Sequence, residues 1–155
     1  MAGLGLILGK WHRNPLRRQM QTQPIAYRTE LYRVKFPDPS WWASGDPTRG
    51  MLELIIRGDI VRVGAPSWLV IGPQCYFRAP ETTIELSRNP MRIYGIYSRH
   101  EWIVVRGKQD GREFKLSMTR RYFLEDVWNA LVAAGAVPTS AGPEVNFRRG
   151  LPAPG

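Results

Sequence analysis

From residue 51 onward, apolar and polar residues alternate in short segments that are separated by Gly, Pro, Asn and Asp. Alternation with a period of two is typical of β-strands that bury one face, and the intervening residues favour turns. Seven or eight strands are predicted in this part of the chain. The segments with this pattern are residues 51–57, 60–63, 68–71, 74–78, 82–86, 91–97, 102–106 and 112–118.

A further strand is predicted at residues 27–36. Its alternation places Tyr32, Val34 and Phe36 on one face of the strand. The cations Arg33 and Lys35 fall on the opposite face.

Gly58 and Asp59 separate two of the predicted strands and predict a type II′ hairpin turn. Glycine suits the first central position of this turn because that position requires a positive φ.

The period of the pattern changes after residue 118, where apolar residues recur at helical spacing. They are Phe123, Leu124, Val127, Trp128, Leu131 and Val132. This broad apolar stripe predicts an amphipathic α-helix over residues 123–136. Ser117 or Thr119 is expected to cap its start. Gly135 is expected to cap its end, and Pro138 prevents the helix from continuing.

The fold class that follows is mainly β (α+β). We expect a strongly bent antiparallel sheet or partly open barrel of seven to eight strands, capped by one C-terminal helix. Residues 1–26 are interpreted as a basic flexible arm and residues 27–50 as a strand plus a Trp/Pro loop. The barrel and its helix occupy residues 51–137, and a Pro/Gly-rich tail occupies residues 138–155. The pattern leaves open whether residues 1–50 pack on the barrel.

Consecutive antiparallel strands followed by one capping helix resemble the pleckstrin-homology-like (PH-like) architecture in its small bacterial form. The segments that carry the resemblance are MLELIIRGDIVRV at 51–63, TTIEL at 82–86, EWIVVRGKQDGREFKL at 101–116 and the helix at 123–136. The resemblance implies a non-enzymatic interaction or scaffold domain that binds a protein or a membrane-proximal partner.

The first hairpin departs from the PH-like members that bind phosphoinositides. Those members place several basic residues around this hairpin. Here the turn carries Asp59, with only Arg57 and Arg62 nearby. This departure argues against phosphoinositide recognition.

The net charge of +9 lies mainly in the first 35 residues, which hold seven basic residues and one acid, Glu30. Residues 36–141 are nearly balanced, with 13 basic and 11 acidic residues. A basic arm is either solvated or binds an anionic membrane surface or nucleic acid, and composition does not choose between these. The candidate binding residues are Lys10, Arg13, Arg17, Arg18, Arg33, Lys35, Trp41 and Trp42.

The two tryptophans of this set, Trp41 and Trp42, stand in a loop between prolines. They can fold back as a lid on the core, which is the simplest interpretation. They can also stack on the bases of single-stranded nucleic acid or lie at a membrane interface.

The sequence contains no catalytic constellation. His12 and His100 have no Cys or carboxylate at metal-ligand spacing, so no metal site is predicted. Cys75 lies in an apolar run, which favours packing in the core, and no cofactor motif is present. The functions to be weighed are a binding module, a nucleic-acid binder that uses the basic arm, and an enzyme of unknown type.

The single cysteine excludes an internal disulfide and favours a reducing compartment. The apolar start of the chain precedes its positive charges, which is the reverse of a secretory signal. We therefore expect a cytoplasmic protein, with peripheral association at the inner face of the membrane as an alternative.

Overall fold

A computed structural model of the chain describes residues 15–37, 48–66, 74–88, 90–93, 96–99, 101–109 and 111–144. The predicted strand at 68–71 and the loop with Trp41 and Trp42 lie outside these residues. The helices are α1 (Pro15–Gln21) and α2 (Leu124–Ala133). The strands are β1 (Ile25–Lys35), β2 (Thr48–Arg57), β3 (Ile60–Gly64), β4 (Gln74–Arg78), β5 (Thr82–Ser87), β6 (Pro90–Ile93), β7 (Ile96–Arg99), β8 (Trp102–Gln109), β9 (Arg112–Thr119) and β10 (Val137–Pro138).

Eight of these strands form one sheet, in the order β10-β5-β8-β9-β1-β2-β3-β4. All neighbours are antiparallel except β10, which pairs in parallel with β5. The sheet is therefore mixed, whereas the sequence predicted an antiparallel one. The predicted single strand at 91–97 is instead a hairpin of β6 and β7, separate from the large sheet.

The sheet is rolled, so that distant strands face one another across a common core. Phe77 on β4 and Phe114 on β9 are four strands apart, about 19 Å in a flat sheet. Their ring centroids are 5.9 Å apart. A 3₁₀ turn of three residues, Ala79–Glu81, joins β4 at one end of the order to β5 near the other. Among the described residues no ladder joins the two edge strands, so the barrel is not closed.

The interior of this rolled sheet is the main hydrophobic core. It gathers inward side chains from seven strands and from α2, including Leu54, Val61, Ile84, Ile103, Leu116 and Met118. Burying apolar surface is the main favourable contribution to folding, and alternation along each strand supplies it here. The predicted bent sheet with a helix packed on it is confirmed at this level.

The C-terminal helix α2 covers the core with Leu124, Val127, Trp128 and Leu131. Val132, predicted in the same stripe, is exposed. Gly135 has a φ of +117°, and its N–H donates to the Val132 carbonyl at 3.0 Å. The next N–H, of Ala136, donates to the Leu131 carbonyl at 3.0 Å. These two bonds form a Schellman motif, so Gly135 ends the helix as predicted.

The hairpin turn between β2 and β3 also follows the sequence prediction. Gly58 has a φ of +62°, and Asp59 is not among the described non-glycine residues with positive φ. A positive φ at the first central position alone is the signature of type II′.

The helix α1 lies in the region that the sequence assigned to a flexible arm. Its Met20 is buried against Ile55, Ile60 and Tyr76, on the outer face of the rolled sheet. The Arg57 side chain also donates to the Gln23 carbonyl at 3.2 Å. Residues 15–26 thus pack on the sheet, because the outer face of β2–β4 carries apolar side chains that one helical turn covers. Within the described residues, no helix is long and apolar enough to cross a membrane.

Candidate binding cleft

The strand β1 shifts its alternation by one residue at Tyr32–Arg33. Leu31 and Val34 are three residues apart, yet both are buried in the main core. The pairing with β2 is irregular at the same point, between Leu31 and Arg33. Such a bulge re-aims side chains. The sequence grouped Tyr32 with Val34 on one face of the strand, but Tyr32 instead lines a surface cleft beside Arg33.

The cleft opens where β1 and β9 part. These strands pair only at Arg33 with Thr119, Val34 with Met118 and Lys35 with Ser117. Beyond Thr119 the chain leaves the line of β9 and turns into α2, while β1 continues along β2. The space between them has a volume of about 700 Å³ and is lined by Glu30, Leu31, Tyr32, Arg120, Arg121, Tyr122 and Phe123.

The turn from β9 into α2 forms one wall of the cleft and has unusual backbone geometry. Phe123 precedes the helix with a φ of +58° and a ψ of +44°, in the left-handed region that bulky residues seldom adopt. Its carbonyl accepts from the Asp126 N–H at 3.1 Å and from the Arg120 side chain at 3.5 Å. Strained residues of this kind cluster at ligand sites.

The helix cap that the sequence predicted is wrong. No side chain caps the start of α2. The Thr119 hydroxyl instead donates to the Glu101 carbonyl at 2.7 Å. The left-handed Phe123 moves the start of the helix away from Thr119, so the hydroxyl cannot reach the first free N–H groups.

Two arginines contact the ring of Tyr32 at the cleft. The guanidinium carbon of Arg121 lies 4.8 Å from the ring centroid, and that of Arg33 lies 5.3 Å from it. Both distances are within the range of cation–π attraction. Hydrogen bonding from the Arg121 side chain, and to a smaller extent from Arg33, lowers the pKa of the Tyr32 phenol below its usual value of 10.0. The site therefore favours negative charge on an oxygen at this position.

Arg33 is a buried cation, with only 6% of its surface exposed. Its Nε has no hydrogen-bond partner among the described residues. Two residues further along β1, the Lys35 ammonium lies 5.8 Å from the centroid of the Trp102 ring. A buried donor without an acceptor is costly, which makes Arg33 an unusual feature of a folded core.

The cations around the cleft have no carboxylate partner in the described part of the chain. We call Arg33, Lys35, Arg120 and Arg121 the cation cluster. Five ion pairs occur among the described residues, and none involves a member of this cluster. Among the described residues that line the cleft, Arg120 and Arg121 are the cations and Glu30 is the acid. Arg33 and Lys35 follow directly on the adjoining end of β1.

The residues that the sequence singled out fall into three places. Arg33 and Lys35 belong to the cation cluster. Arg17 and Arg18 lie on α1, which packs elsewhere on the outer face of the sheet. The remaining four, Lys10, Arg13, Trp41 and Trp42, lie outside the described residues.

Sequence reasoning missed Arg120, Arg121 and Tyr122. These residues stand in the run Arg-Arg-Tyr-Phe directly before the predicted helix. Two consecutive cations at the start of a helix oppose its dipole, because that end is already positive. The unfavourable position of these two cations at a helix start is the sequence signal that marks the turn as a candidate site.

The other reactive groups offer little chemistry. Cys75 is buried, and burial raises the pKa of its thiol to about 12, so it stays protonated at neutral pH. Across the described ranges, no three His, Cys, Asp or Glu side chains are close enough together to hold a metal ion.

Comparisons with known proteins returned no matching family model, no matching curated protein and no matching solved structure.

Proposed function

We propose that this chain is a non-enzymatic binding module of PH-like architecture, and that the cleft holds an anionic partner. The partner is a protein or lies close to a membrane surface. A cytoplasmic location, at or near the inner face of the membrane, belongs to the same proposal. The observation that carries it is the pair Arg120 and Arg121 in the wall of a cleft of about 700 Å³, without a carboxylate partner in the described residues.

The chemistry of the cluster supports an anionic ligand. A guanidinium group presents several N–H donors in one plane, which matches a carboxylate or a phosphate. Arg121 is exposed beside the Tyr32 ring, and Arg120 is partly exposed. A ligand that neutralises these charges would remove their mutual repulsion.

The fold supports the PH-like part of the proposal. An open, rolled sheet with one helix packed over its core leaves the turn between sheet and helix on the surface. Binding residues are often carried on such connecting segments, because a rigid scaffold positions them.

The proposal is tested with the full chain and three anionic probes at low salt. The probes are polyglutamate, vesicles containing phosphatidylserine, and oligothymidylate. We expect binding of polyglutamate or of the vesicles, and we expect it to weaken as salt is raised. Arg121→Glu should abolish this binding, whereas Arg112→Glu, at the exposed first residue of β9, should reduce it much less.

Two results would count against the cleft as a binding surface. One is that no probe binds. The other is that Arg121→Glu and Arg112→Glu have equal effects. Binding of oligothymidylate alone would favour the alternative function in nucleic-acid binding through the basic N-terminal residues.

A further inference from the structure

One edge of β1 lacks a strand partner along most of its length. β1 pairs with β2 over residues 25–34, but with β9 only over residues 33–35. Residues 25–32 therefore have no second strand beside them among the described residues. In a β-strand, alternate residues direct their N–H and C=O groups to the same edge. This open edge presents main-chain donors and acceptors to whatever occupies the neighbouring space.

The cleft lies beside residues 30–32, at one end of this open edge. Arg33 is paired with Thr119, so an extended β9 would have placed residues 120–122 beside residues 30–32. Instead Arg120–Phe123 form the far wall of the cleft, and Glu30–Tyr32 form the near wall. Further along β1, Tyr27 is partly buried and packs against the main core, which includes Leu124 and Val127 of α2.

The side chains around the edge select for a particular kind of segment. Arg120 and Arg121 supply positive charge on the far wall. Ile25 is 47% exposed at the start of the strand, and Tyr122 is 53% exposed across the cleft. They are two of the four large hydrophobic residues exposed in the described part of the chain. Tyr122 stands beside Arg120 and Arg121, which have no carboxylate partner among the described residues, and this combination fits a ligand that carries both acidic and apolar groups.

We propose that the cleft takes an extended acidic segment of a partner protein, which adds as a strand to residues 25–32 of β1. Main-chain hydrogen bonds along the edge would hold the segment. Carboxylates of the segment would meet Arg120 and Arg121, and its apolar side chains would cover Ile25 and Tyr122. This inference rests on the proposed function, since it names the partner that the cleft receives.

The main-chain edge is the reason for choosing a peptide over other anions. A lipid headgroup or a nucleic acid can neutralise the cation cluster. Neither presents alternating N–H and C=O groups at the spacing of a β-strand. Strand addition therefore requires free backbone N–H groups on the ligand, whereas neutralisation of the cations does not.

The test uses the full chain and a fluorescent peptide of alternating Asp and Val, as long as the open edge of β1. Two further peptides carry N-methyl groups on every second residue, one on the odd and one on the even positions. A bound strand uses the N–H groups of one set only. We expect one N-methylated peptide to bind as tightly as the parent and the other to bind at least about tenfold more weakly, as measured by fluorescence anisotropy.

Substitutions in the chain locate the binding. Arg121→Gln should weaken binding of the parent peptide about tenfold or more, because a charge-assisted hydrogen bond is lost. Arg121→Lys should restore part of the affinity, since the charge returns without the planar fork. Arg112→Gln is the matched control at another exposed position and should leave the affinity within about twofold.

Hydrogen exchange gives a reading that does not depend on any substitution. Addition of the peptide should slow amide exchange at alternate residues within 25–32 of β1.

The outcomes separate this inference from the proposed function. If both N-methylated peptides bind like the parent, and Arg121→Gln still weakens them, strand addition is overturned while an anion-binding cleft stands. If only vesicles or only oligothymidylate bind, the peptide is the wrong occupant. If no acidic peptide, vesicle or oligothymidylate binds at all, the proposed function fails together with the inference.

Discussion

Two groups of basic residues differ in whether a carboxylate of the described residues pairs with them. In the first, which we call the Glu53 cluster, the Glu53 carboxylate lies 3.0 Å from Arg28 and 3.2 Å from Arg62. In the cation cluster, no carboxylate of the described residues pairs with Arg33, Lys35, Arg120 or Arg121. Within the described residues, the first group therefore has a counter-ion and the second has none.

The difference separates structural charges from charges available for binding. Glu53 and Arg62 are each 5% exposed, and the Arg62 side chain also donates to the Ala65 carbonyl. Their hydrogen bonds are satisfied within the protein, as buried charges require. Arg33 is as deeply buried, but its Nε lacks an acceptor among the described residues. Burial alone therefore does not identify a structural ion pair, whereas a complete set of partners does.

The largest expected effect is at the Glu53 cluster. Glu53→Ala leaves the Arg62 guanidinium buried without its carboxylate, so the free energy of unfolding should fall by about 3–5 kcal/mol. The matched control is Glu85→Ala, which breaks the more exposed pair with Arg106 and should cost at most about 1 kcal/mol. Both are measured by chemical denaturation. Equal losses would show that burial does not distinguish the two pairs.

A second comparison exchanges one buried arginine from each group for methionine. Arg62→Met leaves Glu53 with only the half-exposed Arg28 as partner, so the free energy of unfolding should fall by about 3 kcal/mol. Arg33→Met removes a buried cation that has no carboxylate partner in the described residues. It should leave stability unchanged or raise it by up to about 2 kcal/mol, because the cost of burying the charge disappears.

Thermal or chemical denaturation of both methionine variants measures the two changes in the free energy of unfolding. A loss at Arg33→Met as large as that at Arg62→Met would mean that the protein itself satisfies Arg33. The contrast between the two groups would then fail.

The smallest expected effect is on tyrosine ionisation. The lowered pKa of Tyr32 means that its folded phenol ionises below pH 10.0. The resulting stabilisation is present above pH 10.0 and is lost as the pH falls through the folded pKa. Tyr27 differs, because burial raises its pKa and its contribution is lost as the pH rises. Absorbance titration should lose an early step in Tyr32→Phe and a late step in Tyr27→Phe.

Arg121→Gln sharpens this test. It removes the main cause of the lowered pKa, so the early step should move toward pH 10.0. An unchanged early step in both Tyr32→Phe and Arg121→Gln would contradict the described contact.

Much of the fold was predictable, because short-range patterns decide it. The strand at 112–118 alternates Phe114, Leu116 and Met118 inward, and the structure places all three in the core. The helix stripe, the turn at Gly58 and the cap at Gly135 follow from residue type and spacing alone. These features depend on the φ preference of glycine and on the periods of 2 and 3.6, which are written in a few neighbouring residues.

The candidate site was predictable only in part. Arg33 and Lys35 were selected for their charge, but Arg120 and Arg121 are 85 or more residues further along the chain and were overlooked. Tyr32 was grouped with Val34 on one face, because strict alternation does not foresee a bulge. A bulge depends on how two strands pair across the sheet, and that pairing is not a property of either strand alone.

The amino-acid sequence by itself determined most of the large sheet's strands, the C-terminal helix, the turn at Gly58 and the excess of positive charge, because each depends on local residue preferences and composition. The tertiary structure alone decided that β1 leaves β9 after three paired residues and that the turn before α2 fills the opposite wall. It also decided that two arginines from distant segments meet on one tyrosine ring. Long-range strand pairing brings these groups together, because it joins residues that are far apart along the chain.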